Sequence, residues 1–479
     1  MERAIVSDVE GDWRWHVDAS DDLVARLLQR RANVNLIRTM LFARVVQVTR
    51  PACPDALEFA RTVAWLQSIP AGAVSAVMGT PWFDHWIYLA DNVRRRYERT
   101  EVVPDSDLPS YGSATPSAAP RVAWLLRDFG RFALECAILT GLSYRGSVVA
   151  WDSEVPLGFW GVSFSVEETG PHGCQVDSAD GCVTLRVGER SWDVTCLHQG
   201  RAGDMDGVDG VAAAPRLRLD NSEVHVFVGD PLARREWVDV YLNPDGTGYA
   251  SVRPADLPAF RDRYQAGLKL IHRYWPRMAM DIANGLHAIV PVQRPSPERG
   301  VSCTSDTFFG AIVCCDNPPI LAAEVLIHEF GHNVFNELLA RDRIFADAVP
   351  GESVVYSPWR EDPRPVLGCL HGAFVFERVC RFYLLYLAGN PADDSAAARF
   401  RLLLATLRIA CCLLSRFDGC APFGRRVLDG ITDRATRMAG VPLARLHDSE
   451  RAGIEAHFSD WCARNPGLAA RNTFASLAL

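Results

Sequence analysis

The spacing of apolar residues divides the chain into a helical region, a β-rich region and a second helical region. In the first, apolar positions recur every three or four residues, which is the period of an amphipathic helix. Four helices are predicted, over about 21–48, 54–67, 82–98 and 120–141. Residues 101–119 are polar and rich in Pro, Ser and Gly, as expected of a linker or long loop. Residues 1–146 therefore form a predicted α-rich N-terminal region.

The pattern changes after Gly146 to short runs of β-branched and aromatic residues separated by Gly, Asp and Asn. Such runs favour strands with tight turns between them. They occupy 147–151, 158–166, 182–187, 192–197, 224–228 and 237–242. Cys174 and Cys182 could form a disulfide or join a metal site, but a strand with a turn is the favoured interpretation. Residues 147–254 are thus predicted to be β-rich.

The remaining region, 255–479, combines helices with a short sheet. A long helix is predicted over 255–285, followed by strands at 287–292 and 308–314. Pro318 and Pro319 then begin an apolar, mostly buried helix, and later helices are predicted over 370–390, 394–416, 421–438 and 442–463. The fold class expected for the whole chain is α+β and mainly helical.

The apolar helix after Pro319 contains His328-Glu329-Phe330-Gly331-His332, an HExxH motif. Residues four apart lie one above the other on a helix, so His328 and His332 can direct two imidazoles at one cation. Glu329 stands one step around the helix, where it can orient or deprotonate a metal-bound water. Two hydrogen-bonded core histidines are the alternative, but unpaired imidazoles in so apolar a helix would be costly.

Composition narrows the classes of function that the motif can serve. The chain has 479 residues, more than one hydrophobic core usually covers, and a net charge of -8. That charge argues against nucleic-acid or anionic-membrane binding, and no apolar run reaches membrane-spanning length. The N-terminus lacks a signal-peptide layout, and the 14 cysteines form no CxxC pair. We therefore expect a cytoplasmic protein whose cysteines are mostly small buried hydrophobes.

A catalytic metal needs a third protein ligand beside the two histidines. The extended pattern HExxHxxGxxH is absent, because Phe335 and Leu338 occupy the Gly and His positions. Downstream candidates are Glu352, Glu361, His371 and Glu377. We favour His371, because an imidazole at the start of an apolar helix needs a partner. Glu352 is the second choice, since it would complete a set of two histidines and one carboxylate.

Two arginines precede His371 in the proline-rich segment 357–365. Guanidinium groups bind planar carboxylates with two parallel hydrogen bonds. Arg360 and Arg364 could therefore bind a small dicarboxylate or a peptide carboxylate. Alternatively, they pair with Glu361 and Asp362 and brace the loop. The strand at 308–314, just before the metal helix, could bind a substrate peptide as an added strand.

Residues 322–332, 357–365 and 370–374 together resemble the HExxH-motif peptide-modification proteins. These proteins are tailoring enzymes of ribosomally synthesised and post-translationally modified peptides (RiPPs), and their metal helix is zincin-like. The resemblance is specific over about 287–380 and weak elsewhere.

The resemblance implies an Fe(II)- and 2-oxoglutarate-dependent oxygenase that uses O2 to hydroxylate a side chain, at Cβ, within a precursor peptide. By position, His328, His332 and His371 would hold iron, and Arg360 and Arg364 would bind the 2-oxoglutarate carboxylates. Spacing alone equally allows a zinc metallopeptidase that cleaves a precursor (leader) peptide, with Glu329 activating water. A third alternative is a peptide-binding scaffold with a structural zinc, although such sites favour four ligands and cysteine.

Overall fold

The chain has an α+β, mainly helical fold in a computed structural model. The residues described are 23–49, 53–98, 122–150, 153–199, 201, 208–209, 211–212, 217–220, 222, 224–226, 256–294, 300–346 and 354–469. Contacts group the chain into a first unit, 25–265 with 283–318, and a second unit, 1–24 with 266–282 and 319–479. The three-region division predicted from the sequence stays a prediction, and the linker predicted at 101–119 lies outside the described residues.

The N-terminal region is helical, as predicted. Its helices are α1 (Leu23–Thr49), α2 (Pro54–Ser68), α3 (Ala71–Met78), α4 (Pro81–Glu98), α5 (Val122–Asp128) and α6 (Gly130–Thr140). The single helix predicted over 120–141 is therefore two helices. A Cβ on Gly130 would lie 1.8 Å from the backbone oxygen of Ser147, so the chain can turn closely against the first strand here.

The β-rich region contains two antiparallel sheets. One has the order β1-β4-β5-β6, from β1 (Tyr144–Ala150), β4 (Gly170–Ala179), β5 (Cys182–Val187) and β6 (Arg190–Asp193). The other has the order β2-β3-β7, from β2 (Glu154–Leu157), β3 (Val162–Ser165) and β7 (Val211–Ala212). Asp180 and Gly181, both with positive φ, form the tight turn between β4 and β5.

Cys174 and Cys182 lie on the strands that flank this turn, and both are free thiols. The strand-and-turn interpretation is therefore confirmed, and β4 is an additional strand that the sequence pattern did not predict. The strand predicted over 192–197 is only half right, because helix α7 (Thr195–His198) follows β6. The side chain of Asp193 accepts a hydrogen bond from the Thr195 amide, 2.9 Å, and so ends the strand.

A third sheet has the order β11-β12-β10-β9-β8. Its strands are β8 (Leu217–Arg218), β9 (His225–Val226), β10 (Ala288–Val292), β11 (Ser302–Cys303) and β12 (Ala311–Cys315). The strand predicted before the metal helix is β12. It pairs with β10 along its length and with β11 at Val313 and Cys314. Neither edge of β12 is open there to an added peptide strand, which removes that mode of binding at this position.

Helices dominate the rest of the chain. They are α8 (Leu257–Tyr274), α9 (Pro276–Gly285), α10 (Pro319–Arg341), α11 (Val366–Gly389), α12 (Asp394–Ser415), α13 (Pro422–Ala439), α14 (Asp448–Arg464) and α15 (Pro466–Ala469). The helix predicted over 255–285 is interrupted at Pro276, which has no amide hydrogen to donate. Among the described residues, no helix is long and apolar enough to cross a membrane.

Within the second unit, α10 and α11 pack against each other in opposite directions. Gly331 on α10 faces Val375 on α11, where an added Cβ would be 3.0 Å from a Val375 methyl carbon. About two turns away, toward the N-terminal end of α10, Glu324 meets Tyr383. The glycine inside HExxH therefore lets α11 approach the motif closely, which brings the residues of α11 within reach of the two histidines.

Candidate metal site

One side of α10 is partly open to solvent, and the HExxH histidines lie on it. The partly exposed positions are 321, 325, 328, 332, 336 and 339, which recur at the period of a helix, while most neighbouring positions are buried. His328 and His332 belong to this set. The helix therefore buries its apolar faces and leaves the two imidazoles accessible at the edge of the core.

The separation of the two histidines is compatible with one shared metal ion and also with the hydrogen-bonded pair of core histidines that is the alternative. Nε2 of His328 lies 3.2 Å from Nε2 of His332. Ligands about 2.1 Å from one ion, in tetrahedral or octahedral positions, have nitrogens roughly 3.0–3.4 Å apart. The rings meet at 79°, so the contact is between edges and not between stacked faces. The pair thus fits two adjacent coordination positions.

His371, on α11, lies against the other side of the His332 ring. Its Nδ1 is 3.1 Å from Nδ1 of His332, and the two rings are 30° from parallel. An imidazole that binds a metal through Nε2 keeps its proton on Nδ1. In this arrangement His332 therefore donates a hydrogen bond to His371. A ligand role for His371 requires its ring to turn toward the Nε2 pair.

Across the described ranges, no group of three or more His, Cys, Asp or Glu side chains converges on one metal position. The other acidic candidates are engaged elsewhere. Glu361 accepts a hydrogen bond from Arg464, 2.8 Å, and buried Glu377 accepts one from Arg434, 2.6 Å. Glu352 lies outside the described residues. The structure thus places His371 beside the pair without making it a third ligand.

Burial keeps all three imidazoles neutral at physiological pH. It lowers the pKa of His328 to about 4, with a further contribution from the positive charge of Arg399. Burial and then neighbouring His328 hold the pKa of His332 well below its usual range. Burial and then His332 lower the pKa of His371 to about 3. Neutral imidazole is the form that binds a metal, so these donors suit a cation.

Glu329 lies on the buried side of α10 and not on the open side. Glu329 is 2% exposed. Its backbone carbonyl accepts a hydrogen bond from the side chain of Asn333, one turn later, at 3.3 Å. A general base for hydrolysis must reach the attacking water. The HExxH spacing therefore places the two histidines toward solvent and the glutamate toward the core.

Arg360 and Arg364 lie at the surface and pair with the same carboxylate. Nε of Arg360 is 3.3 Å from Asp362 Oδ1, and Nε of Arg364 is 3.1 Å from Asp362 Oδ2. Arg360 is 58% exposed and Arg364 is 34% exposed. The contacts are those of the loop-bracing alternative. A role in 2-oxoglutarate binding stays a prediction.

The segment that carries these arginines nevertheless packs next to the histidines. Trp359 stacks on Phe376, with ring centres 4.8 Å apart, and Phe376 meets the His328 ring edge-on at the same distance. Trp359 also donates a hydrogen bond to Thr406, 3.0 Å. A Cβ on Gly372 would lie 2.5 Å from the Trp359 ring. Gly372 therefore allows this segment to sit directly on the helix that carries His371.

A polar group next to His328 was not anticipated from the sequence. Glu324, one turn before His328, accepts hydrogen bonds from Tyr383 at 2.7 Å and from Arg399 at 3.1 and 2.5 Å. The four-residue spacing from Glu324 to His328 was a usable signal, because it places both on one side of α10. Arg399 could not be found in this way, because it lies on α12, far along the chain.

The geometry has to be interpreted without a relative, because no protein-family model matches this chain and no curated protein matches it either.

Proposed function

We propose that the chain is a metal-dependent tailoring enzyme of a RiPP precursor peptide. In this proposal, Fe(II) is bound by His328, His332 and His371, with Glu352 as the alternative third ligand. The co-substrates are 2-oxoglutarate and O2, the product is a peptide hydroxylated at a side-chain Cβ, and α10 is the counterpart of a zincin metal helix. The observation that carries the proposal is the 3.2 Å separation of the Nε2 atoms of two partly exposed histidines.

The chemistry of the donors supports a bound divalent ion. Two neutral imidazoles can bind without first losing protons, and imidazole suits both iron and zinc. Bound iron would supply the reactivity toward O2. Overall, one oxygen atom of O2 enters the peptide C–H bond, the other enters succinate, and 2-oxoglutarate releases CO2.

The protein's own residues would hold and shape this site. Before the ion binds, His371 accepts the Nδ1 proton of His332 and orients the Nε2 lone pair of His332; to become a ligand, His371 would give up this contact and turn its ring toward the ion. Phe335 and Phe376 pack edge-on against His371 and His328, at 4.4 and 4.8 Å. These rings make one side of the site apolar. The free state of all 14 cysteines fits our expectation of a cytoplasmic enzyme.

A zinc metallopeptidase acting on a precursor peptide is the alternative function. The same nitrogen separation suits zinc, and HExxH is a peptidase motif. The burial of Glu329 favours the oxygenase, because oxygenation does not need this residue as a base. A scaffold with a structural zinc is less well supported, since a closed site needs four protein ligands.

The test is to combine protein purified without oxygen with Fe(II), ascorbate, 2-oxoglutarate and a precursor peptide encoded beside the gene. We expect the peptide to gain one oxygen mass and an equivalent amount of succinate to form. His328→Ala and His332→Ala should lose both iron and activity. His272→Ala, at an exposed histidine of the same unit, is the control and should behave as wild type.

Peptide cleavage with zinc, in the absence of succinate, would show that the protein is a peptidase instead. Iron content measured on the same samples tests the ligand assignment separately. If His371→Ala retains full iron while the other two variants lose it, His371 positions His332 and is not a ligand.

A further inference from the structure

Arg399 presents an open guanidinium edge beside the metal-binding histidines. Its Nε and Nη2 atoms form two hydrogen bonds to the Glu324 carboxylate, at 3.1 and 2.5 Å. A guanidinium carries five N–H donors, and this side-on contact uses only part of them. Among the described residues, no acceptor is found at the remaining nitrogen, Nη1. The edge formed by Nη1 and the outer N–H of Nη2 is therefore available to a second carboxylate.

The surrounding residues hold this guanidinium in place. Glu324 is 7% exposed, and Tyr383, 1% exposed, donates a hydrogen bond to the same carboxylate at 2.7 Å. Arg399 itself keeps 40% of its side chain exposed. A fixed inner edge and an accessible outer edge are the arrangement that favours binding of a planar anion from solution.

Glu324, which anchors Arg399, lies about as far from His328 along α10 as a short dicarboxylate is long. Glu324 and His328 are one turn apart on the same side of α10, which corresponds to about 6 Å along the helix axis. The terminal carbons of a five-carbon chain, with four bonds of about 1.5 Å, are roughly 5 Å apart.

Arg360 and Arg364 are less suitable than Arg399 for this role. Both are engaged by Asp362, whose side chain is 54% exposed, so their pairing is weakened by solvent. Arg399 instead pairs with a buried carboxylate, Glu324, that lies one turn from His328 on α10.

We propose that the outer edge of Arg399, held by Glu324 and Tyr383, binds the distal carboxylate of the oxo-dicarboxylate co-substrate. This assignment rests on the proposed function, which supplies the co-substrate. It replaces Arg360 and Arg364 as the anchor for that carboxylate and makes Arg399 the residue that selects a dicarboxylate over a monocarboxylate.

The experiment compares 2-oxoglutarate with 2-oxobutyrate, which lacks the distal carboxylate. Both are titrated into the Fe(II) protein without oxygen, and binding is followed by the charge-transfer absorbance of the iron complex. Wild type should bind 2-oxoglutarate more tightly. Arg399→Gln should weaken 2-oxoglutarate binding roughly tenfold to a hundredfold, as expected for a lost charge-assisted contact. Its affinity for 2-oxobutyrate should not change.

Two further variants control for folding. Arg401→Gln removes another arginine of α12 that pairs bidentately with a carboxylate, Glu450, and should leave both affinities as in wild type. Glu324→Gln with Arg399→Gln removes both charges together, so no buried carboxylate is left without a partner. This double variant should show the same loss for 2-oxoglutarate as Arg399→Gln. Thermal unfolding and iron content verify that each variant is folded and loaded.

The outcomes separate this inference from the proposed function. If wild-type protein loaded with iron does not bind 2-oxoglutarate, the proposed function is wrong and the inference fails with it. If wild type binds it and Arg399→Gln binds equally well, only the assignment of Arg399 is wrong. An equal loss for both keto acids would mean that Arg399 supports the metal site structurally, which also overturns the assignment.

Discussion

Replacing Gly372 with alanine should detach the segment around Trp359 from α11. An alanine Cβ would lie 2.5 and 2.8 Å from two carbons of the Trp359 ring, closer than real Cβ atoms come to neighbours, and 3.3 Å from a third. The ring must therefore move. It would lose its stacking on Phe376 and its hydrogen bond to Thr406.

The size of the effect follows from three contributions. Overpacking of this kind costs typically about 1–3 kcal/mol. Loss of the hydrogen bond from Trp359 adds about 1 kcal/mol. The substitution also stabilises the helix by roughly 1 kcal/mol, because alanine is a better helix former than glycine, and this offsets part of the loss. The net destabilisation of the contact between Trp359 and α11 is therefore about 1–3 kcal/mol.

Gly368, one turn earlier on the same helix, is the matched control. A Cβ there would meet only atoms of Arg364 and Pro365 at 4.0 Å, which is ordinary contact. Gly368→Ala should therefore be neutral or stabilising by up to about 1 kcal/mol. The two substitutions are chemically identical and one turn apart. A difference between their effects on stability therefore reports the contact with Trp359.

Hydrogen–deuterium exchange with mass spectrometry measures the effect locally, which matters because the chain has two units and a single unfolding transition is not assured. In Gly372→Ala, peptides covering 354–365 should exchange roughly five- to a hundredfold faster than in wild type. In Gly368→Ala they should not change. If both variants protect this segment equally, the close packing of Trp359 on Gly372 is not a constraint, and the reasoning fails.

Two other outcomes test the roles of acidic residues. Glu329→Gln should retain a good part of the hydroxylation activity, whereas a peptidase would lose at least about a hundredfold in turnover, measured as peptide product per minute. Glu450→Gln should cost about 1–2 kcal/mol at pH 7, because Glu450 pairs with Arg401 and accepts a hydrogen bond from the His447 amide. The hydrogen bond from Arg401 lowers the pKa of Glu450 from 4.5. Its contribution is therefore fully present above pH 4.5 and disappears as the pH falls through the lower folded-state pKa. Urea titrations of wild type and Glu450→Gln at pH 7 and pH 3 should show a smaller difference in unfolding free energy at pH 3, and an undiminished difference would contradict this role.

Local sequence was sufficient wherever local forces decide the conformation. Periodicity located most of the helices, and runs of β-branched residues located strands such as β1 and β5. The four-residue spacing of His328 and His332 placed both imidazoles on one side of α10, because helix geometry alone determines it. The helix interruptions next to Gly130 and Pro276 could have been predicted from the sequence, because glycine destabilises a helix interior and proline cannot donate a backbone hydrogen bond.

Tertiary structure decided which groups actually meet. His371 was expected near the HExxH motif, but only the packing of α11 on α10 placed it against Nδ1 of His332 rather than the Nε2 pair. The sequence suggested Arg360 and Arg364 as carboxylate ligands because they are close to His371 along the chain. Folding instead pairs both with Asp362, and brings Arg399 from α12 to Glu324. The physical reason is that a side chain's partners depend on which helices pack together. The spacing of apolar residues predicts each helix but not the helix against which it packs.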